Sequence, residues 1–196
     1  MGKIQYADDN DLFVKFIKEK IALVGDDPTR EGLKDTPKRV IKSWGELFSG
    51  YTQDIESVLT TFSSEKYDEM VALTDIEFYS NCEHHMLPFY GYAHIGYIPS
   101  DRIVGISKLA RITDVFARRL QNQERLTQQI GQAIDKHLAP RGTIVVLEGK
   151  HFCMMSRGVQ KQNSVMKTSF VSGVFKDNTE LARDEFFSLI RNGKNN

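Results

Sequence analysis

Residues 70–98, MVALTDIEFYSNCEHHMLPFYGYAHIGYI, contain two strand-like runs joined by a short connection that carries a cysteine and two histidines. Val71, Leu73, Ile76, Phe78 and Tyr79 give the run Met70–Ser80 the β-branched and aromatic texture of a strand, and Phe89–Ile98 alternates as a second one. Asn81–Pro88 is then the connection. Two further strand-like runs, Thr143–Met155 and Ser164–Phe175, follow the turn at Pro140, Arg141 and Gly142. Between the two pairs, Leu109, Ile112, Val115 and Phe116 recur at helical spacing over Ser107–Leu120, and Leu126, Ile130, Ile134 and Leu138 do so over Glu124–Leu138. This order predicts an α+β domain: a four-stranded antiparallel sheet with a helix pair between strands 2 and 3, packed on one face. Such a sheet has two open edges, which makes pairing with a neighbouring subunit an expectation.

Outward from this centre, the N-terminal region reads as helical. Leu12, Phe13, Phe16, Ile17 and Ile21 share one face of a helix over residues 10–24. Thr36 and Pro37 open a second helix as N-cap and first-turn proline, running through Val40, Ile41, Trp44, Leu47 and Phe48 to Gly50, and a short helix is expected near Ile55–Thr61. A last amphipathic helix spans Thr179–Arg191. The division expected is a helical region over residues 1–68, packed on the same unit, and a sheet-bearing domain over 69–196. No apolar run reaches the roughly 18 residues that span a membrane, and the start of the chain lacks the pattern of a signal peptide, so a cytoplasmic protein is expected. Twenty-six Lys and Arg balance 26 Asp and Glu, which excludes a strongly basic chain built to coat nucleic acid.

The two cysteines, Cys82 and Cys153, are read against that reducing compartment as buried thiols, catalytic groups or metal ligands. Cys82 and His85 have a C-x-x-H spacing that can fold two ligands onto one ion, and Cys153 would add a third from a distant strand. Three protein ligands leave a fourth position open, as in catalytic zinc. The competing reading is a pair of inert buried thiols. His84 and His151 are proton carriers on one reading and core histidines on the other. Strand alternation would place His151 and Cys153 on one face, with Phe152 opposite.

A second group begins at Gly105, where a turn delivers Ser107 and Lys108 to a helix N-terminus, a setting that attracts phosphate. Arg111 shares a face with Lys108, and Arg157 follows the Cys153 strand, so several cations could converge on a polyanion; an N-cap serine with a solvated basic face explains the same residues. Gln123 and Glu124, at the junction of the two helices, could read the donor edge of a purine, or Glu124 could serve the helix dipole alone.

Taken together, Asp35-Thr-Pro-Lys-Arg39, Cys82-Glu-His-His85, His94-Ile-Gly-Tyr-Ile-Pro99, Gly105-Ile-Ser-Lys-Leu-Ala-Arg111, Gln123-Glu-Arg-Leu-Thr127, His151-Phe-Cys153 and Arg157-Gly-Val159 resemble the GTP cyclohydrolase I family, in family order. The resemblance implies the tunnelling fold, with residues 69–196 as the catalytic tunnelling-fold domain, a homodecamer with sites at subunit boundaries, and GTP as substrate. It implies Cys82, His85 and Cys153 as ligands to one Zn2+ per subunit, and His84 and His151 as catalytic histidines. Gln123 and Glu124 would hold the guanine, and Ser107, Lys108, Arg111, Arg157 and Arg39 the triphosphate. The reaction implied is hydrolysis at C8, formate release and rearrangement to 7,8-dihydroneopterin triphosphate. Asn122 stands where the family usually has valine, and Met166 where threonine is common. The resemblance gives Glu83 no role. Two alternatives remain: another tunnelling-fold enzyme such as a nitrile reductase acting on a deazaguanine through a cysteine nucleophile, and a zinc-stabilised assembly protein without catalysis.

Overall fold

The computed structural model describes residues 12–177 and 180–193. In chain order these form α1 (Leu12–Leu23), α2 (Thr36–Leu47), a 3-10 turn (Ser49–Tyr51), α3 (Ile55–Val58), β1 (Thr61–Ser63), β2 (Val71–Cys82), β3 (Pro88–Ile98) and β4 (Arg102–Val104). They continue with α4 (Ile106–Ala117), β5 (Leu120–Gln121), α5 (Gln123–Leu138), β6 (Gly142–His151), α6 (Phe152–Met155), β7 (Met166–Val171), α7 (Val174–Asp177) and α8 (Glu180–Gly193).

The four expected strands form an antiparallel sheet in the order β2-β3-β6-β7. A fifth, two-residue strand extends it: β5 pairs parallel with the end of β2, Asn81 against Leu120 and Cys82 against Gln121. β1 and β4 make a separate antiparallel ribbon. Strands of two or three residues are too short to show a period, which is why the sequence does not announce them.

β6 has two apolar faces because both sides of the sheet are covered along it. On β6, Val145 and Leu147 turn toward α4 and α5, joining Leu109, Ile112, Phe116, Leu126, Ile130 and Ile134 in the main core with Phe78, Phe89 and Ile95. Ile144 and Val146 turn the other way, onto Phe175, Phe186 and Ile190 of α7 and α8. The expected helix pair thus occupies one face, and the C-terminal helices cover part of the opposite one.

Three expectations change. The run Thr143–Met155 is a strand only as far as His151; Phe152–Met155 winds into one helical turn, closed where the Ser156 amide and hydroxyl both donate to the Phe152 carbonyl at 2.9 and 2.7 Å. The alternation that put Cys153 on a strand face beside His151 therefore does not apply. The run Ser164–Phe175 is a strand over Met166–Val171 alone, because Gly173 turns the chain at φ +49° and sends Phe175 into the second core. In α1 the packed residues are Val14 and Ile17 against Ile41 of α2, whereas Leu12, Phe13 and Phe16 are exposed. The parts of the first and last predicted helices at residues 10–11 and Thr179 lie outside the described residues. Among those residues no helix is long and apolar enough to cross a membrane.

Packing of α5 on β7 is close enough to depend on a missing side chain. A Cβ on Gly131 would lie 2.1 Å from Cδ1 and 2.5 Å from Cγ of Phe170, so swinging the ring tip does not relieve the clash. Alanine gains roughly 1 kcal/mol of helix propensity over glycine, but overpacking costs about 1–3 kcal/mol. Overpacking is the larger effect. Gly131→Ala is expected to lower stability in urea unfolding by about 1–2 kcal/mol; a gain of about 1 kcal/mol would show that propensity governs the site.

Candidate active site

The site begins where β2 ends. Cys82 donates its amide to the Leu87 carbonyl at 2.8 Å, and its carbonyl accepts from the Met86 amide at 2.7 Å. Met86 adopts φ +54° to close this tight loop. The loop holds Cys82 inside and turns His84 and His85 toward solvent. Cys82 Sγ lies 3.8 Å from Nδ1 of each histidine.

Cys153 reaches the same point from α6. Ligand atoms of Cys82, His85 and Cys153 all lie within 4.8 Å of one another, close enough to hold one ion. Burial, followed by the neighbouring Cys82, pushes the Cys153 thiol up. Two sulfurs and an imidazole form a donor set that suits zinc, and three donors leave a position for a reactant. The helical turn does what the expected strand could not: it swings Cys153 out of the sheet toward the loop.

His151 ends β6 beside this cluster. Its ring stacks on Phe89 at 4.5 Å between centroids and 4° between planes, and its Nε2 lies 2.9 Å from Oε1 of Gln123. Burial lowers its pKa, with the Glu124 charge opposing. A cavity of about 380 Å3 opens here, lined by Gly149, His151, Cys153, Lys161, Ser164 and Met166 among others. Lys161 is a cation at the site that the sequence reading did not single out; its position depends on the fold of the 156–165 loop and has no local signal.

Arg157, expected with the triphosphate-binding cations, comes to the cluster: its guanidinium donates to Nε2 of His85. Glu124 stands exposed in the first turn of α5. Gln123 departs from expectation. Grouped with Glu124 as a purine-holding residue, it is 1% exposed, and its carboxamide is engaged wholly within the protein. Ser107, Lys108 and Arg111 lie on the first turns of α4, and Arg111 lines a different cavity, of about 540 Å3, with Glu46, Asp114 and Arg118. Arg39 lies on α2, 3.8 Å from Asp35. The sequence-predicted residues thus divide into a cluster of Cys82, His84, His85, His151 and Cys153 with Arg157 beside it, and a set of cations elsewhere on the chain.

Glu83, without a role in the sequence, has one in the structure. Its carboxylate accepts from the Arg125 guanidinium and, at 3.0 Å, from the Asn122 amide, which together hold its pKa below the ordinary range, Arg125 first. Asn122 also caps α5 by accepting from the Arg125 amide at 2.8 Å. The loop of Cys82, His84 and His85 is thereby fastened to the start of the helix that carries Gln123 and Glu124.

Comparison with known proteins gives a family match to GTP cyclohydrolase I over residues 13–191. GTP cyclohydrolase 1 of Wolinella succinogenes is 56% identical over 176 residues, 89% of this chain and 94% of that protein. The enzyme of Leptospira biflexa is 54% identical over 90% of this chain and 97% of its own length, and that of Campylobacter jejuni 49% over 93% and 96%. Among solved structures, an apo archaeosine synthase QueF-Like aligns with TM-score 0.44 and 15% identity, over 53% of this chain and 93% of its own.

Both histidines of the loop approach Cys82 equally, but only His85 groups with both cysteines. His85→Ala is expected to emerge from dialysis against zinc-free buffer essentially without metal, and His84→Ala to retain it. Metal content by mass spectrometry checks this; loss of zinc from His84→Ala would exchange the two roles.

Proposed function

The chain belongs to the GTP cyclohydrolase I family, and from that premise we propose that it hydrolyses GTP at C8, releases formate and forms 7,8-dihydroneopterin triphosphate. The observation that carries this reading to the chemistry is the convergence of Cys82, His85 and Cys153 beside His151 and its cavity. The metal in this reading is zinc, one ion per subunit, held by those three residues. Bound there, zinc supplies Lewis-acid activation of water near neutral pH.

The protein's own groups handle position and protons. Glu124, exposed next to His151, offers a carboxylate to the adjacent N1 and N2 hydrogens of guanine, an acceptor for two donors. Water adds at C8, and a ring nitrogen must gain a proton before its bond to C8 can break as an amine leaves. His151 is suited to deliver that proton because burial keeps its pKa low, so its protonated form is a ready acid. His84, 68% exposed on the loop, can exchange protons with solvent and serve the second C8–N cleavage. A second water adds to the formyl carbon in that cleavage, formate departs, the ribose opens and rearranges, and its carbonyl closes on the freed pyrimidine amine with loss of one water.

The triphosphate would be met by Ser107, Lys108, Arg111, Arg157 and Arg39. Arg157 alone of these touches the metal cluster, through His85. Placement of the others on α2 and α4 supports an assembly in which one subunit's cations face another subunit's cysteines, and the two open sheet edges, β5 and β7, give such an oligomer, a decamer in the family pattern, a means of joining. Two free thiols within reach of one ion favour a reducing, cytosolic setting, since oxidation would compete with the metal.

Purified protein incubated with GTP is expected to release formate together with material that becomes fluorescent neopterin on oxidation, and to stop when a chelator strips zinc. His151→Ala is expected to keep its zinc and lose on the order of 10²- to 10⁴-fold in turnover. Folded, zinc-loaded wild-type protein that yields neither product would end the cyclohydrolase reading.

A further inference from the structure

The carboxamide of Gln123 is part of a closed hydrogen-bond network whose directions can be assigned one by one. The Thr127 hydroxyl lies 2.7 Å from the carbonyl of Gln123, and a carbonyl can only accept, so Thr127 donates there. The Thr168 hydroxyl, 2.6 Å from that of Thr127, then donates to the Thr127 oxygen. Its own oxygen accepts from Gln123 Nε2 at 3.1 Å. The same nitrogen faces the carbonyls of Leu147 and Met166 at 3.2 and 3.0 Å. Three acceptors surround one end of the amide, so that end is the NH2 group, and exchanging its nitrogen and oxygen would bury three repulsive contacts.

The other end of the amide is therefore oxygen, and it points at His151 Nε2, 2.9 Å away. An amide oxygen accepts and does not donate. His151 must carry its hydrogen on Nε2, and its neutral ring then has its lone pair on Nδ1. Phe89, fully buried, fixes the plane of the ring by stacking. Gly149 leaves room for the contact: a Cβ there would lie 2.2 Å from Gln123 Oε1.

We propose that Gln123 is a positioning residue and not a purine contact: anchored by Thr127 and Thr168, it holds His151 in the Nε2–H tautomer and makes Nδ1 the nitrogen that exchanges protons with the substrate. The catalytic part of this assignment rests on the cyclohydrolase reading above; the tautomer does not. Gln123 acts only through His151, which separates it from any residue that binds guanine directly.

The test is a double-mutant cycle with steady-state kinetics on GTP. Gln123→Met is expected to lower kcat about 10- to 100-fold, as loss of an orienting partner does, with KM changed by less than about three-fold. In the residual activity of His151→Ala it is expected to cost nothing more, because both changes act on one ring. Gly149→Ala, which pushes the amide oxygen aside without removing either partner, is expected to reproduce the kcat loss. Equal losses in both backgrounds, a rise in KM at unchanged kcat, or a fully active Gly149→Ala would each overturn the proposal. Solid-state 15N NMR of histidine-labelled wild-type protein, with the His151 signals identified by their loss in His151→Ala, is expected to show a hydrogen on Nε2; an Nε2 without one overturns it whatever the variants do. That spectrum needs no turnover, so a wild-type protein that releases no formate would end the cyclohydrolase reading and leave the tautomer assignment to be judged separately.

Discussion

Two residues of parallel strand hold the site together. Pairing of Leu120 and Gln121 with Asn81 and Cys82 brings the end of β2 and the start of α5 to one place, and the Glu83 amide continues the contact by donating to the Gln121 carbonyl at 2.9 Å. Everything that follows in either direction inherits that register. On one side come Cys82, His84 and His85; on the other, Gln123 and Glu124. An isolated two-residue ladder is weak, since each hydrogen bond contributes only about 0.5–1.5 kcal/mol net. It persists because the groups beyond it are also paired: Arg125 donates to Glu83, to the Leu120 carbonyl at 3.1 Å and to Gln121 Oε1 at 2.9 Å. One guanidinium thus ties the loop, the short strand and the helix. Its planar set of donors suits that task better than a lysine ammonium would.

The two helices and the four long strands were legible because each repeats a period often enough to be counted. Leu109, Ile112 and Phe116, or Leu126, Ile130 and Ile134, mark a buried face without any knowledge of what covers it. The grouping of Cys82, His85 and Cys153 was legible from side-chain chemistry, and their ligand atoms do come within 4.8 Å of one another. What could not be read depends on partners far away in the chain. Glu83 meets Arg125 across 42 residues, and Gln123 meets Thr168 across 45. Neither end carries a local sign of the other. Cys153 was misplaced for a different reason: His151-Phe-Cys looks like the end of a strand, and the hydrogen bonds that close its helical turn come from Ser156, beyond the run being read.

Burial also divides residues that sequence places side by side. Gln123 and Glu124 are adjacent in the first turn of α5, and as a pair they look like one recognition element. A helix turns by about 100° per residue, so neighbours face different surroundings. Gln123 is turned into the sheet, among carbonyls and threonines that occupy all its donors, while Glu124 is left facing outward with its carboxylate exposed. A carboxylate in the inner position would confront the same carbonyl oxygens without hydrogens to offer, and an amide suits it because it has both a donor and an acceptor end.

The same junction explains what Asn122 does at a position where the family resemblance leads to an expectation of valine. A valine can close the helix end only through its backbone, because it has no side-chain acceptor for the free amides of the first turn. Asn122 accepts from the Arg125 amide with its oxygen and donates to Glu83 with its nitrogen, so both ends of one carboxamide are used. A cap of this kind stabilises a helix by about 1 kcal/mol. Here the gain falls at the point where the loop of Cys82, His84 and His85 joins α5, and an asparagine at this position strengthens the joint on which the geometry of that loop depends.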